Sequence, residues 1–309
     1  MSEVMTCMPF EQLMNWVLEE KKTKGTVFGQ HRAYAAETDR KLNIFERNLE
    51  TPIGPAAGPH TQLTQNIVAS YYAGARFFEL KTVQKMDGAE LAACINRPCI
   101  LADDEGYNCE WSTELYVPQA MGEYIKAWFI LHVIAKEFDL GAQDGFQFNI
   151  SVGYDLEGIK GDKVNTFIDG MMEAKDTAVF QECKKWLLDN ADRFHNFTRE
   201  DIEAIPSNVC NSATISTLHG CPPQEIESIA NYLLTEKHLN TFVKCNPTLL
   251  GYDFARKTMD EMGYDYMVFG DFHFRDDLQY EDAVPMLTRL MKLSEELGLE
   301  FGVKITNTF

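Results

Sequence analysis

The apolar run 77–81 closes as Glu79-Leu80-Lys81-Thr82, and further on Gly220-Cys221-Pro222-Pro223 leads into the helical stretch 223–236. A lysine held at a strand end suits an anionic or electron-rich ring. Placed near a flavin N1–C2=O, such a charge stabilises the reduced anion. A cysteine on a strand-to-helix turn lies near a helix N-terminus, which lowers its pKa and suits it to general acid or base work on a substrate carbon. The alternative for Cys221 is a buried structural cysteine in a proline-stiffened turn.

Other strand ends carry related groups. Ala56, Ala57 and Gly58 lack bulk, so a flat ligand can lie against the backbone there; a plain tight turn is the alternative. Asn149 opens Asn-Ile-Ser-Val-Gly-Tyr154, Lys244 lies in Val243-Lys-Cys-Asn-Pro-Thr248, and Lys304 begins Lys-Ile-Thr-Asn-Thr308. Asparagine and threonine supply paired donors and acceptors that read a planar, amide-containing heterocycle. In a parallel α/β barrel all these ends face one mouth.

Other chemistries find less support. The histidines at 60, 132, 195, 219, 238 and 273 show no spacing typical of a metal site. Asp271, His273, Asp276 and Asp277 read as a solvated loop, with a metal site as the alternative. The eight cysteines form no C-x-x-C, and neither a dinucleotide fingerprint nor a phosphate-binding P-loop occurs.

The elements that must position these groups follow a strand, turn, helix pattern from about residue 53. Runs at 53–57, 77–81, 146–151, 213–218, 241–245, 266–270 and 301–306 read as strands. Stretches at 62–73, 163–174, 223–236, 253–262 and 281–297 read as helices, and residues 9–20 form a helix before the main domain. Excursions near 88–118 and 175–210 are long enough to be lids or interface elements. The second is polar and helical, a surface insertion. A parallel strand as the last element lacks its covering helix, so the sequence reads as a fragment.

The 309 residues, 45% hydrophobic, can bury a sizeable core. The formal net charge of −19 argues against nucleic acid and membrane surfaces and for small-molecule or protein partners. With neither a signal peptide nor a run approaching a membrane span, a cytoplasmic location is expected.

The ordered set Gly-Pro-Ala-Ala-Gly-Pro-His-Thr, Glu-Leu-Lys-Thr-Val-Gln, Glu-Trp-Ser-Thr-Glu, Ser-Val-Gly-Tyr-x-Leu-Glu-Gly-Ile-Lys, Leu-His-Gly-Cys-Pro-Pro, Asn-Pro-Thr-Leu-Leu-Gly-Tyr and Val-Lys-Ile-Thr-Asn-Thr resembles the selenate reductase subunit family, from about residue 9 to the last residue. Those are large bacterial iron–sulfur flavoproteins. Their N-terminal part is similar to the FMN barrel of dihydroorotate and dihydropyrimidine dehydrogenases. The resemblance implies an α/β fold, a (β/α)8 TIM-type flavin barrel incomplete at its C-terminus. It spans 46–309 after a helical extension over 1–45.

It further implies that Ala56, Ala57 and Gly58 line the flavin and that Lys81, Thr82 and Asn149 contact it. Either Lys244 or Lys304 is the flavin-contacting lysine of a later strand. Cys221 falls at the catalytic acid/base position, and Asn307 and Thr308 at substrate-reading positions. Two departures stand out: Leu218 replaces one substrate asparagine and Asp155 another. FAD, NADPH and [4Fe–4S] sites are expected only in absent C-terminal domains, which would be partners in the same chain. The implied activity is hydride transfer between FMN and a small conjugated, pyrimidine- or purine-like substrate, with the fragment alone inactive. The alternative is a non-catalytic barrel scaffold for the downstream modules. A selenate-type oxyanion would call for clustered arginines, and Arg76 with Arg97 makes no cluster.

Overall fold

The computed structural model describes residues 5–36, 42–94, 100–101, 106–107, 113–216 and 220–305. Two compact units divide the chain: Met1–Ser151 with Gly161–Asn211, and Val152–Lys160 with Ser212–Phe309.

In the first unit α1 (Phe10–Lys24) buries Phe10, Leu13, Met14 and Val17, the spacing of one helical face, and ends on Gly25 at φ +73°. A hairpin of β1 (Leu42–Ile44) and β2 (Arg47–Leu49) follows. Residues 53–55 run beside β3 (Phe77–Glu79) without being a regular strand: the Ile53 carbonyl accepts from the Arg76 and Phe77 N–H groups, and the Pro55 carbonyl from Glu79. Gly54 is required here, because a Cβ would stand 1.4 Å from the Phe77 carbonyl oxygen. Between them lies α2 (Thr64–Tyr72). Next come α3 (Gly88–Ala92) and the short antiparallel pair β4 (Ile100–Leu101) and β5 (Gly106–Tyr107).

The sequence pattern assigns no element between residues 118 and 146, yet α4 (Val117–Glu137) is the longest helix among the described residues. Its residues from Gly122 to Ala135 are all buried. A helix apolar on every side has no stripe for periodicity to find. Its two buried charges, Glu123 and Lys126, pair with each other, and Glu123 also accepts the Thr64 N–H at the start of α2 (2.8 Å). Strand β6 (Gln147–Val152) is buried throughout and runs parallel to β3, with Phe77 beside Gln147 and Glu79 beside Asn149.

After α5 (Leu156–Lys160), which belongs to the second unit, α6 (Asp162–Met172), α7 (Ala178–Asp189) and α8 (Arg199–Ala204) complete the first. The 175–210 segment is helical as expected, but it is more than a surface insertion. Phe180, Cys183 and Leu187 of α7 are buried, and the Phe180 ring meets Phe129 of α4 edge-on at 4.7 Å.

The second unit holds most of β7 (Cys210–Ile215), then α9 (Pro223–Thr235), β8 (Asn240–Cys245), α10 (Tyr252–Glu261), α11 (Phe272–Asp276), α12 (Tyr280–Leu297) and β9 (Phe301–Ile305). Hydrogen bonding pairs β3 with β6 in the first unit, and β7 with β8 and β8 with β9, all parallel, in the second. The expected strand at 266–270 does not form. That apolar run lies between Gly263 and Gly270, and Val268 is 98% exposed, so it finds neither ladder nor core.

Candidate functional site

In the first unit the site is built on an irregularity of β3. The Leu80 N–H donates to the Asn149 carbonyl (2.9 Å), and regular parallel pairing would then use the Thr82 N–H. Instead Val83 donates to the Ser151 carbonyl (2.9 Å), so Lys81 and Thr82 together oppose one residue. This is a β-bulge, a device that re-aims side chains. Phe78 and Phe148 pack ring to ring, and Phe148 also meets Trp128, which fixes the face turned to α4. Glu79 lies on the opposite face. With the extra residue, Lys81 and Thr82 join it there, and Thr82 Oγ1 lies 2.7 Å from Ser151 Oγ.

Lys81 is 1% exposed. A lysine is rarely buried so completely unless its charge has a task. Its backbone is held at both ends, the N–H on the Thr61 carbonyl (3.2 Å) and the carbonyl by the Tyr124 hydroxyl (2.9 Å). Burial pushes the Tyr124 phenol up, so it stays a donor. The Ala57 N–H donates to Glu79 Oε2 (3.0 Å), which ties the small-residue turn to the same strand. Ala56 is exposed and Ala57 partly so, leaving backbone open to a planar group.

His60, which the sequence does not single out as a site residue, lies beside this turn. Burial, opposed by a hydrogen bond to the Ala56 backbone and assisted by the Lys81 charge, holds its imidazole below the usual histidine range. The sequence signal for it is only its place directly after the small-residue run. Asn149 lies opposite Glu79 on β6 and is buried.

In the second unit Cys221 is half-buried, one residue before the Pro222 cap of α9, whose first helical residue is Pro223. Gly220 turns the chain into it at φ +79°, a conformation that favours glycine. The Gly220 N–H donates to Asp277 Oδ1 (2.9 Å), while Thr248 Oγ1 (2.6 Å) and Asn246 Nδ2 (3.3 Å) donate to Oδ2. One carboxylate, 5% exposed, thus ties the cysteine turn to the end of β8. The solvated-loop reading of 271–277 holds for Asp271, which pairs with Arg275 at the surface, and fails for Asp277. Spacing gave no hint of this role, because Asp277 lies 57 residues from Gly220.

Lys244 and Lys304, the two candidates for one position, are register partners on β8 and β9. Their side chains therefore share a face of adjacent strands. Asp155 Oδ1 accepts the Gly158 N–H (2.6 Å) at the start of α5. Asn307, Thr308, Leu218, His219 and Arg97 lie outside the described residues.

Burial pushes the thiols of Cys7 (to about 11), Cys183 and Cys245 up, which leaves them poor nucleophiles at neutral pH. Among the described residues no group of three or more His, Cys, Asp or Glu is placed to hold a metal ion. Nor is any helix there long and apolar enough to cross a membrane.

"Putative oxidoreductase YgfK" from Escherichia coli K12 is 44% identical over all of this chain, and so is its counterpart from E. coli O157:H7. The chain spans 31% of the length of these relatives. Among solved structures, a ligand-free DHODH from Eimeria tenella aligns with 96% of this chain and 83% of its own at 12% identity and a TM-score of 0.40. Residues 28–309 match a family description directly: the chain belongs to the family Oxidoreductase YgfK, N-terminal TIM-barrel domain.

Proposed function

We propose that this domain is the substrate end of an FMN-dependent oxidoreductase of the dihydropyrimidine or dihydroorotate dehydrogenase type, acting on a small conjugated heterocycle. The observation that carries the reading is the bulge that turns a buried lysine and a threonine to one face at a strand end. The donor set fits the group. Lys81 offers a fixed charge, Thr82 and Asn149 offer polar atoms, and Ala56 with Ala57 leaves backbone open to a flat ring, while Gly58 is buried with its N–H on Thr61 Oγ1 (3.1 Å). Lys244 and Lys304, register partners on β8 and β9, are further candidate cations for it. When bound, FMN supplies hydride transfer. Cys221 Sγ holds or releases the accompanying proton at the substrate carbon, on a turn fixed by Gly220 and Asp277.

A heterocycle is favoured over a selenate-type oxyanion because Arg76 is spent on structure. Its guanidinium is fully buried on Glu50 (2.7 Å) and on the Tyr71, Ala75 and Leu140 carbonyls (each 3.0 Å). FAD, NADPH and iron–sulfur sites belong, in this reading, to the remaining length of a cytoplasmic protein. The engagement of Asp155 in capping α5 favours the rival reading, a barrel kept as a scaffold without turnover.

Flavin released from the denatured full-length protein separates the two. One FMN per chain, lost selectively in Lys81→Met, supports the redox reading. A well-folded protein without FMN leaves the scaffold.

A further inference from the structure

Gln84 follows the bulge and is fully buried, and neither Nε2 nor Oε1 has a hydrogen-bond partner among the described residues. Its direction follows from the register. Val83 occupies the position after Ser151, beside Val152, on the face shared with Phe148 and turned to α4. Gln84, one residue on, falls on the opposite face with Lys81 and Thr82. Gln62 shows how this unit treats a carboxamide that serves structure: its Oε1 takes the Thr113 hydroxyl and the Glu114 N–H (2.6 Å). A carboxamide has two donor hydrogens and an acceptor oxygen, and burying all of them unpaired is costly. The arrangement makes sense when a ligand completes it.

We infer that Gln84 is a ligand-reading residue whose carboxamide pairs with the cis-amide edge of a bound heterocycle, accepting from its ring N–H and donating to the adjacent C=O. Resting on the redox reading above, this adds a specificity-determining contact beside Lys81 and Thr82. Flavin and a pyrimidine- or purine-like substrate both present that edge, so the shared chemistry is the lactam, and the test separates its sources.

Full-length protein stripped of flavin is prepared as wild type, Gln84→Met and Gln84→Glu, and compared at a temperature where circular dichroism shows all three folded. FMN is titrated by fluorescence quenching. The FMN-loaded proteins are then titrated with uracil and with xanthine by flavin absorbance. The expected result is an affinity loss of about tenfold or more in both variants for at least one probe. A loss for FMN assigns the flavin edge, and a loss confined to uracil or xanthine assigns the substrate edge. Thermal unfolding of stripped Gln84→Met should occur at or above the wild-type temperature, because the variant buries no unpaired amide. Unchanged affinity for all three probes overturns the inference, whatever happens to stability. If wild type takes up no FMN, the redox reading fails, and uracil and xanthine are titrated against the stripped proteins by thermal shift. Binding weakened by the substitutions then keeps Gln84 as a lactam reader, and equal or absent binding removes it.

Discussion

The two units hold their candidate groups by different means. In the first, Lys81, Thr82 and Asn149 are buried, on or just past strands backed by α4, whose residues from Gly122 to Ala135 are all buried. In the second, α10 and β9 bury no residue, and apolar side chains such as Phe254, Tyr266 and Ile305 face outward. Order around Cys221 comes from hydrogen bonds converging on Asp277 rather than from packing. Packing fixes a position without relying on one charged group, whereas a carboxylate hub fixes it only while that carboxylate is present. Of the proposed ring contacts, Lys81, Thr82 and Asn149 lie on the packed unit, and Lys244 and Lys304 on the other. The proton-handling cysteine lies on the one held by polar contacts.

The largest expected effect breaks the rigid side at its base. Glu50→Ala leaves the Arg76 guanidinium buried without its counter-charge, since Glu50 Oε2 is its only carboxylate partner among the described residues. Removing one member of such a pair costs about 3–5 kcal/mol. Urea unfolding of the variant should show that loss. A loss below 1 kcal/mol means the pair is hydrated and the first unit is less rigid than described.

On the other side, Asp277→Ala deprives the Gly220 N–H, the Thr248 hydroxyl and the Asn246 amide of their acceptor. Charge-assisted bonds of this kind contribute about 1.5–3 kcal/mol where water does not replace them, so a loss of about 2–3 kcal/mol is expected. Turnover of the full-length protein should fall by more than FMN content, because Lys81, Thr82 and Asn149 are on the other unit. Equal loss of flavin and turnover would erase the division of labour. Cys221→Ala should reproduce the turnover loss, about 10²–10⁴-fold, without the stability loss.

Acid sharpens the contrast within the packed side. His132 is buried against Trp128 and Phe146, at 4.6 and 5.3 Å between ring centroids. Burial and then the Arg47 charge lower its pKa to about 3. Its unfolded value is about 6.5. Above that both states are neutral; below it the unfolded chain takes up a proton that the native state refuses. Stability therefore falls from pH 6.5 towards pH 3, by about 1.4 kcal/mol per unit and about 2 kcal/mol by pH 5. His132→Phe should flatten that slope in urea titrations at pH 7 and pH 5, and an unchanged slope assigns it to other groups.

What the sequence made legible was local. Strand ends with Lys-Thr and Cys-Pro-Pro are short patterns whose geometry follows from neighbours; β3 and β9 lie within runs read as strands, β6 and β8 overrun theirs by one residue, and β7 begins three residues before its run and covers only its first half. α4 was invisible because uniform burial erases the periodicity that marks a helix. The bulge was invisible because an extra residue in a ladder appears only when the partner strand is present. Asp277 was misjudged because a carboxylate among charged neighbours looks solvated until its distant donors are known. The same distance problem kept Lys244 and Lys304 apart as rivals, when register makes them neighbours.

The smallest expected effect tests whether the outer part of the second unit contributes to stability at all. Val268 stands 98% exposed in the apolar run that forms no strand. A side chain that hides almost no surface gains almost nothing from the hydrophobic effect, so Val268→Ser should change the unfolding free energy by no more than about 0.5 kcal/mol. Gly54→Ala is the matched probe on the first unit, where the added methyl collides with backbone and should cost about 1–3 kcal/mol. If Val268→Ser costs as much as Gly54→Ala, the 264–270 segment is packed in solution, and the contrast between a packed unit and a polar-tethered one collapses. If the two differ as expected, stability resides in the unit that carries Lys81, and the outer elements of the second are free to accept substitution without disturbing it.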